Sequence, residues 1–173
     1  MQLRADGPDV WYATEAAAFV GPGEIAFLKE RAAESPRLRS RICLHENVSA
    51  PVHEMVIVHH RSCYVRPHRH PRKPESLTVL EGDAVALFFD DGAGIASAQR
   101  LAPDAATMCR VPVNAWHGLV IESEWFVFYE VSAGPFVPGS TEFAPWAPPE
   151  NDPAASAFLA GLRRDARAVT SAG

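Results

Sequence analysis

A chain of 173 residues that is 47% hydrophobic has the size of one domain with a substantial core, and a formal charge of −5 leaves it short of the basic surface that bulk nucleic-acid binding requires. No apolar run reaches the ~18 residues that suggest a membrane-spanning helix. The first residues lack the basic-then-apolar order of a secretory leader, so a cytoplasmic protein with neither membrane nor nucleic-acid partners is expected.

Residues 1–21 carry Trp11, Tyr12 and Phe19 among alanines and suit an extended arm or a short strand. From Pro22 to Glu34 the spacing predicts a helix with Ile25, Leu28 and Ala32 on one face. Ser35-Pro36 ends it, because the residue before a proline disfavours the helical region. Strand then follows strand, at 38–44, 53–60, 62–68, 75–81, 83–90, 94–101, 107–112, 116–121 and 124–132. Turns at Glu81-Gly82-Asp83, Asp90-Asp91-Gly92 and Ala102-Pro103-Asp104 separate several of them, which predicts an antiparallel sandwich or barrel. Beyond Gly134-Pro135 the chain is proline-rich, and Phe136, Phe143 and Trp146 predict that it packs over the barrel. Asn151-Asp152-Pro153 reads as a helix start, with Phe158, Leu159 and Leu162 facing the body and Val169–Gly173 fraying. The expected organisation is an arm and helix over 1–36, a barrel over 37–134 and a packed C-terminal segment over 135–173, all in one structural domain.

The densest chemistry lies in His68-x-His70-x4-Glu75-x6-Gly82 and Pro112-x-Asn114-x2-His117. On a strand, His68 and His70 project from one face. Glu75 follows Pro71 and Pro74 in a loop that returns a carboxylate to the same space, and His117 closes the set from a separate apolar segment. Three neutral imidazoles and a carboxylate suit a divalent transition metal such as Fe, Zn, Mn, Ni or Cu. The same parity puts Tyr64 and Arg66 on the histidine face. A buried arginine there needs a partner, either Glu130 or the carboxylate or phosphate of a substrate. Arg37, Arg39 and Arg41 share a face as well, with Arg39 expected at the barrel mouth. Trp116, next to His117, should point away and pack. His53, His59 and His60 lack ligand spacing and read as structural, and His45 as a loop or capping residue. Cys43, Cys63 and Cys109 form no CxxC pair and read as small core residues in a reducing compartment.

The two blocks in a β-rich chain resemble the cupin superfamily, whose blocks are written G-x5-H-x-H-x3-4-E-x6-G and G-x5-P-x-G-x2-H-x3-N. Here Ser62 stands for the first glycine, and Ala106, Asn114 and Ile121 replace the two glycines and the asparagine of the second block. These departures fall on turn and framework positions, and asparagine tolerates positive φ better than most residues. Beyond the first twenty residues the chain resembles more narrowly the WbuC-type cupin metalloproteins. That likeness is carried by Ser35-Pro36-Arg37-Leu38-Arg39, Leu44-His45, Tyr64-Val65-Arg66-Pro67-His68-Arg69-His70-Pro71, Leu87-Phe88-Phe89-Asp90-Asp91-Gly92, Trp116-His117, Gly134-Pro135 and Phe143-Ala144-Pro145-Trp146-Ala147-Pro148. The resemblance implies an all-β dominated cupin barrel (a double-stranded β-helix or jelly roll) with a short helix near each end. It also implies one metal ion on His68, His70, Glu75 and His117, and a homodimer that exchanges N-terminal strands. Its link to O-antigen gene clusters points to a sugar or nucleotide-sugar.

Four protein ligands leave one or two positions open on an ion that accepts five or six. One reading is therefore a metal-dependent enzyme acting on a small anionic or sugar-derived substrate. Arg66, Arg39 and Tyr64 would bind the substrate, and Tyr64 or Glu130 would carry protons in an isomerisation or epimerisation. Iron would instead favour oxygen-dependent cleavage. A non-catalytic sensor or storage module, a closed structural zinc site and a metal-independent epimerase stand as alternatives, the last opposed by the complete ligand set.

Overall fold

Alternation along the strands decides what this fold encloses. The computed structural model describes residues 1–171; Ala172 and Gly173, the end of the segment expected to fray, lie outside the described residues. In chain order the elements are β1 Leu3–Ala5, β2 Val10–Ala13, α1 Pro22–Glu34, β3 Arg39–Cys43, β4 Val52–His60, β5 His68–Arg69 and β6 Glu75–Glu81. There follow β7 Ala84–Phe89, β8 Ile95–Leu101, β9 Met108–Val111, β10 Trp116–Ile121, β11 Trp125–Ala133, β12 Glu142–Phe143 and α2 Ala155–Ser171. They form a seven-stranded sheet in the order β1-β2-β3-β4-β11-β6-β9 and a five-stranded sheet in the order β12-β5-β10-β7-β8. Pairing is antiparallel except between β2 and β3, which run parallel on either side of α1.

Residues of one parity fill the space between the sheets. Met55, Ile57, Leu77, Ala84, Ile121, Phe126 and Phe128 form that core, and the two phenylalanine rings stack at 5.3 Å. Burying one such side chain is worth about 1.5–3 kcal/mol. Residues of the other parity face outward under the helices. Leu28 and Ala32 of α1 cover Ile42, Val56, Val58 and Val127. Leu162 and Ala166 of α2 cover Val85, Leu87 and Val120. The helix α1 occupies the predicted span, with Pro22 at its first turn and the Glu24 carboxylate accepting the Gly21 N–H at 3.0 Å.

Two expectations need correction. The predicted strand at 62–68 is reduced to β5, because the chain turns after β4 (Cys63 N–H to His60 carbonyl, 2.8 Å) and residues 63–67 cross unpaired from one sheet to the other. Of the two readings for residues 1–21 the structure shows short strands: β1 and β2 pair with each other and extend the sheet alongside β3. Finally, α2 begins at Ala155, since Asp152 caps a preceding turn by accepting the Ala154 N–H at 2.8 Å. The proline-rich segment packs on the barrel as expected, and β12 adds it to β5.

Candidate metal centre and its cavity

The two sequence blocks meet because β5 and β10 are neighbours, with His68 directly opposite His117. Asn114, at φ +65°, donates its N–H to the His70 carbonyl at 2.9 Å and so ties the second block's turn to the first block. Glu75 enters from the other sheet, at the start of β6. One ligand atom from each of His68, His70, Glu75 and His117 lies within 4.8 Å of the other three. Bonds of about 2.0–2.2 Å to a common ion need separations only slightly smaller than this.

Hydrogen bonds set which nitrogen each imidazole offers. His68 and His117 donate from Nδ1 to the carbonyls of Arg66 and Ala115, both at 2.9 Å. The Nδ1 of His70 lies 3.3 Å from the Thr141 hydroxyl. Nε2 is thereby left facing the centre in all three, the arrangement that second-sphere partners impose on metal-bound histidines. The Glu75 carboxylate bridges two of them, at 2.9 Å from His117 Nε2 and 3.0 Å from His70 Nε2. A cation shared by these atoms takes the place of the protons that such contacts otherwise require. Burial pushes Glu75 up, but its bonds with His117 and His70 outweigh this and hold it below the ordinary carboxylate range. Burial, then the neighbouring His117, lowers His68 to about 4, so its ring is neutral and able to ligate. The donor set fits a divalent transition metal.

These four residues line a cavity of about 540 Å³ between the sheets. Its volume falls in the range typical of small-molecule sites. Arg37, Arg39 and Arg41 all line it. Arg66 also lines it, but pairs with no carboxylate: it donates to the Ala144 carbonyl at 2.9 Å and lies over the Phe143 ring at 5.3 Å. Tyr64 does not share this space. Because 61–67 is not strand, parity with the histidines breaks, and Tyr64 packs against Phe158 and Leu159 of α2 with its hydroxyl on the Pro148 carbonyl at 3.1 Å. Trp116 faces outward, as expected, beneath the Arg69 guanidinium at 4.3 Å.

Glu130 points into the cavity from β11. Burial, reinforced by the Glu75 charge and opposed by Arg41 and Lys73, raises it to about 8. A divalent ion bound at Glu75 would reverse the sign of the charge beside Glu130 and lower it against the effect of burial.

Sequence reasoning missed three wall residues. His53 and His59 lie on the inward parity of β4, a signal hidden by the unbroken apolar run Met55–Val58. Glu150 comes from the proline-rich segment, where no periodicity marks it. Burial, then the charge of Arg39, lowers His59 to about 3. Its unfolded-state value is near 6.5, so between these values the unfolded chain binds the extra proton. Stability attributable to His59 is therefore present above pH ~6.5 and is lost as pH falls toward ~3, at up to about 1.4 kcal/mol per pH unit. Urea unfolding from pH 7 to 4 should show a shallower acid loss in His59→Phe than in the wild type. Equal slopes would contradict the assignment.

A family model described as a domain of unknown function, DUF6016, matches residues 23–101. No curated protein matches. Among solved structures, the chain is similar to CapF from Staphylococcus aureus, a capsular polysaccharide assembling protein, at TM-score 0.55 and 18% identity, over 63% of this chain and 32% of CapF. It thus spans about a third of that protein. It is also similar to an uncharacterized protein with a double-stranded β-helix domain from Klebsiella pneumoniae, at TM-score 0.48 and 20% identity, over 61% of this chain and 79% of the other. KdgF from Halomonas sp. matches at TM-score 0.47 and 18% identity, over 60% of this chain and 84% of that one. At these identities the likeness is one of fold. With two curled sheets closing around a histidine-lined cavity, the chain folds as a double-stranded β-helix, the cupin fold.

Proposed function

We propose that this protein is a metal-dependent enzyme acting on a small anionic or sugar-derived molecule, by isomerase or epimerase chemistry or, with iron, as an oxygenase. The observation that carries this reading is the four-ligand cluster in the wall of a solvent-accessible cavity that arginines also line. A closed structural zinc site has no use for such a cavity. His68, His70, Glu75 and His117 would hold the metal, which supplies Lewis acidity or activates bound water. Arg66 and Arg39 would orient an anionic group, using paired N–H donors. Glu130 would carry the proton-transfer role, because it points into the cavity close enough to feel the charge at Glu75. Tyr64, directed away under α2, takes no part in this scheme.

The likeness to a capsular polysaccharide assembling protein and the sequence resemblance to WbuC-type proteins support a place in cell-surface polysaccharide chemistry. A cytoplasmic homodimer is the expected working form. No helix among the described residues is long and apolar enough to cross a membrane.

The test is elemental analysis of untagged protein, followed by absorption and electron paramagnetic resonance before and after air exposure. Stoichiometric iron that responds to oxygen selects the oxygenase branch. Stoichiometric zinc, manganese or nickel without that response selects Lewis-acid chemistry. Metal without turnover on any sugar acid or sugar phosphate would favour the storage or sensing alternative, and protein free of metal would refute the metal-dependent reading.

A further inference from the structure

The same cavity has a second charged region, built around Glu150. Arg39 holds this carboxylate through Nη2 at 2.8 and 3.0 Å, and Arg37 Nε meets it at 3.1 Å. Asp9 lies beside them, 4.0 Å from Arg37 Nη1. All four residues line the cavity that contains the metal ligands.

Unpartnered buried atoms also line this cavity. Among the described residues, six buried side-chain polar atoms have no hydrogen-bond partner, and three of them, Asp9 Oδ1, His59 Nδ1 and Arg66 Nε, belong to residues lining it. A buried polar atom left unpaired costs about 1–3 kcal/mol, so three around one cavity mark where a ligand's polar groups belong. Glu150 itself is carried by the proline-rich segment, not by the barrel strands that supply the rest of the wall. Its side chain can therefore swing off the arginines without breaking a strand pairing.

We propose that Arg37 and Arg39 form an anion subsite of the cavity, that Glu150 is its resting occupant, and that a ligand's carboxylate or phosphate displaces Glu150 while Asp9 and His59 meet its hydroxyl groups. The matching ligand is an acidic or phosphorylated monosaccharide, which combines one anionic group with several hydroxyls. The proposal rests on the reading above in taking the metal's ligand and the subsite's ligand to be one molecule. Displacement also makes Glu150 an internal competitor, which lowers apparent affinity by the fraction of time the subsite is open.

The experiment uses the full, metal-loaded chain and three probes: inorganic phosphate, D-glucuronate and glucose 6-phosphate. Binding is read by calorimetry and by the Nε–H signals of Arg37 and Arg39 in NMR. Glu150→Gln should tighten binding of the better probe about tenfold by removing the competitor. Adding Arg39→Ala should abolish that binding with metal content unchanged. A preference between glucuronate and glucose 6-phosphate distinguishes a carboxylate from a phosphate ligand. Unchanged or weaker binding in Glu150→Gln would show that Glu150 is only a structural latch and would overturn the proposal. If that variant does not fold, the wild type suffices: its Arg39 signal should shift with at least one probe, and no shift with any of them overturns the subsite. Anion binding by protein that takes up no metal would leave the subsite standing while the metal reading fails.

Discussion

His117→Ala should purify as a folded protein that has lost its tight metal site. The imidazole is one of four groups aimed at a common point, and its Nε2 is 2.9 Å from the Glu75 carboxylate. Truncation removes a ligand and frees Glu75 from the contact that helps hold its charge. Changes to mere supporting partners already cost about 10–100-fold in metal affinity, so loss of a ligand should exceed about a hundredfold. The barrel should survive, because β10 is held by backbone pairing with β7 across Trp116–Ile121 and by the outward-facing Val120 under α2. His68→Ala should behave the same way. Metal content per chain, read beside far-ultraviolet circular dichroism, is the check. A folded variant with wild-type metal would remove His117 from the ligand set.

A second large effect is expected at Gly82, where the loss is one of stability. This residue turns the chain between β6 and β7 at φ +86°, and a Cβ placed on it would lie 2.1 Å from the Trp125 carbonyl oxygen and 2.6 Å from the Ser123 hydroxyl. Positive φ alone disfavours a side chain, and the carbonyl belongs to β11, an interior strand of the larger sheet between β4 and β6. Gly82→Ala should therefore cost about 3 kcal/mol, the upper range for backbone strain at one residue. The midpoint of urea unfolding reports it. A midpoint equal to that of the wild type would mean that the turn relaxes freely and that this glycine has no steric role.

The ligand cluster was legible in the sequence because its spacing has a direct geometric meaning. His68 and His70 alternate on an extended segment, and Gly82 sits where the turn demands it. Asn114 was readable for the same reason, as a residue able to take the positive φ that it adopts. Strand positions were readable wherever apolar and β-branched residues ran between turn signals, as at 75–81 and 116–121. Legibility ended where parity lost its meaning. Counting twos puts Tyr64 with the histidines, but the residues between are not a strand. His59 lacks ligand spacing, and because β4 is covered on both faces its sequence does not say which face is inside. Glu150 could not be found at all, since its position depends on tertiary packing of a proline-rich stretch against arginines more than a hundred residues earlier.

That stretch divides the labour of the molecule. Every candidate metal ligand precedes residue 118, on or beside strands held within the two sheets. The segment after Gly134 contributes Phe136, Thr141, Phe143 and Glu150 to the cavity wall, with Thr141 meeting His70 and Phe143 lying beside His68. It is fastened by Arg69 to Glu142, Arg66 to the Ala144 carbonyl and Tyr64 to the Pro148 carbonyl. The chain before Gly134 thus holds the candidate ligand cluster together with Arg37, Arg39 and His59, while the segment after it lays a separate piece of wall over them. Substitutions among the sixteen residues from Pro135 to Glu150 could reshape that wall and leave all four cluster residues in place.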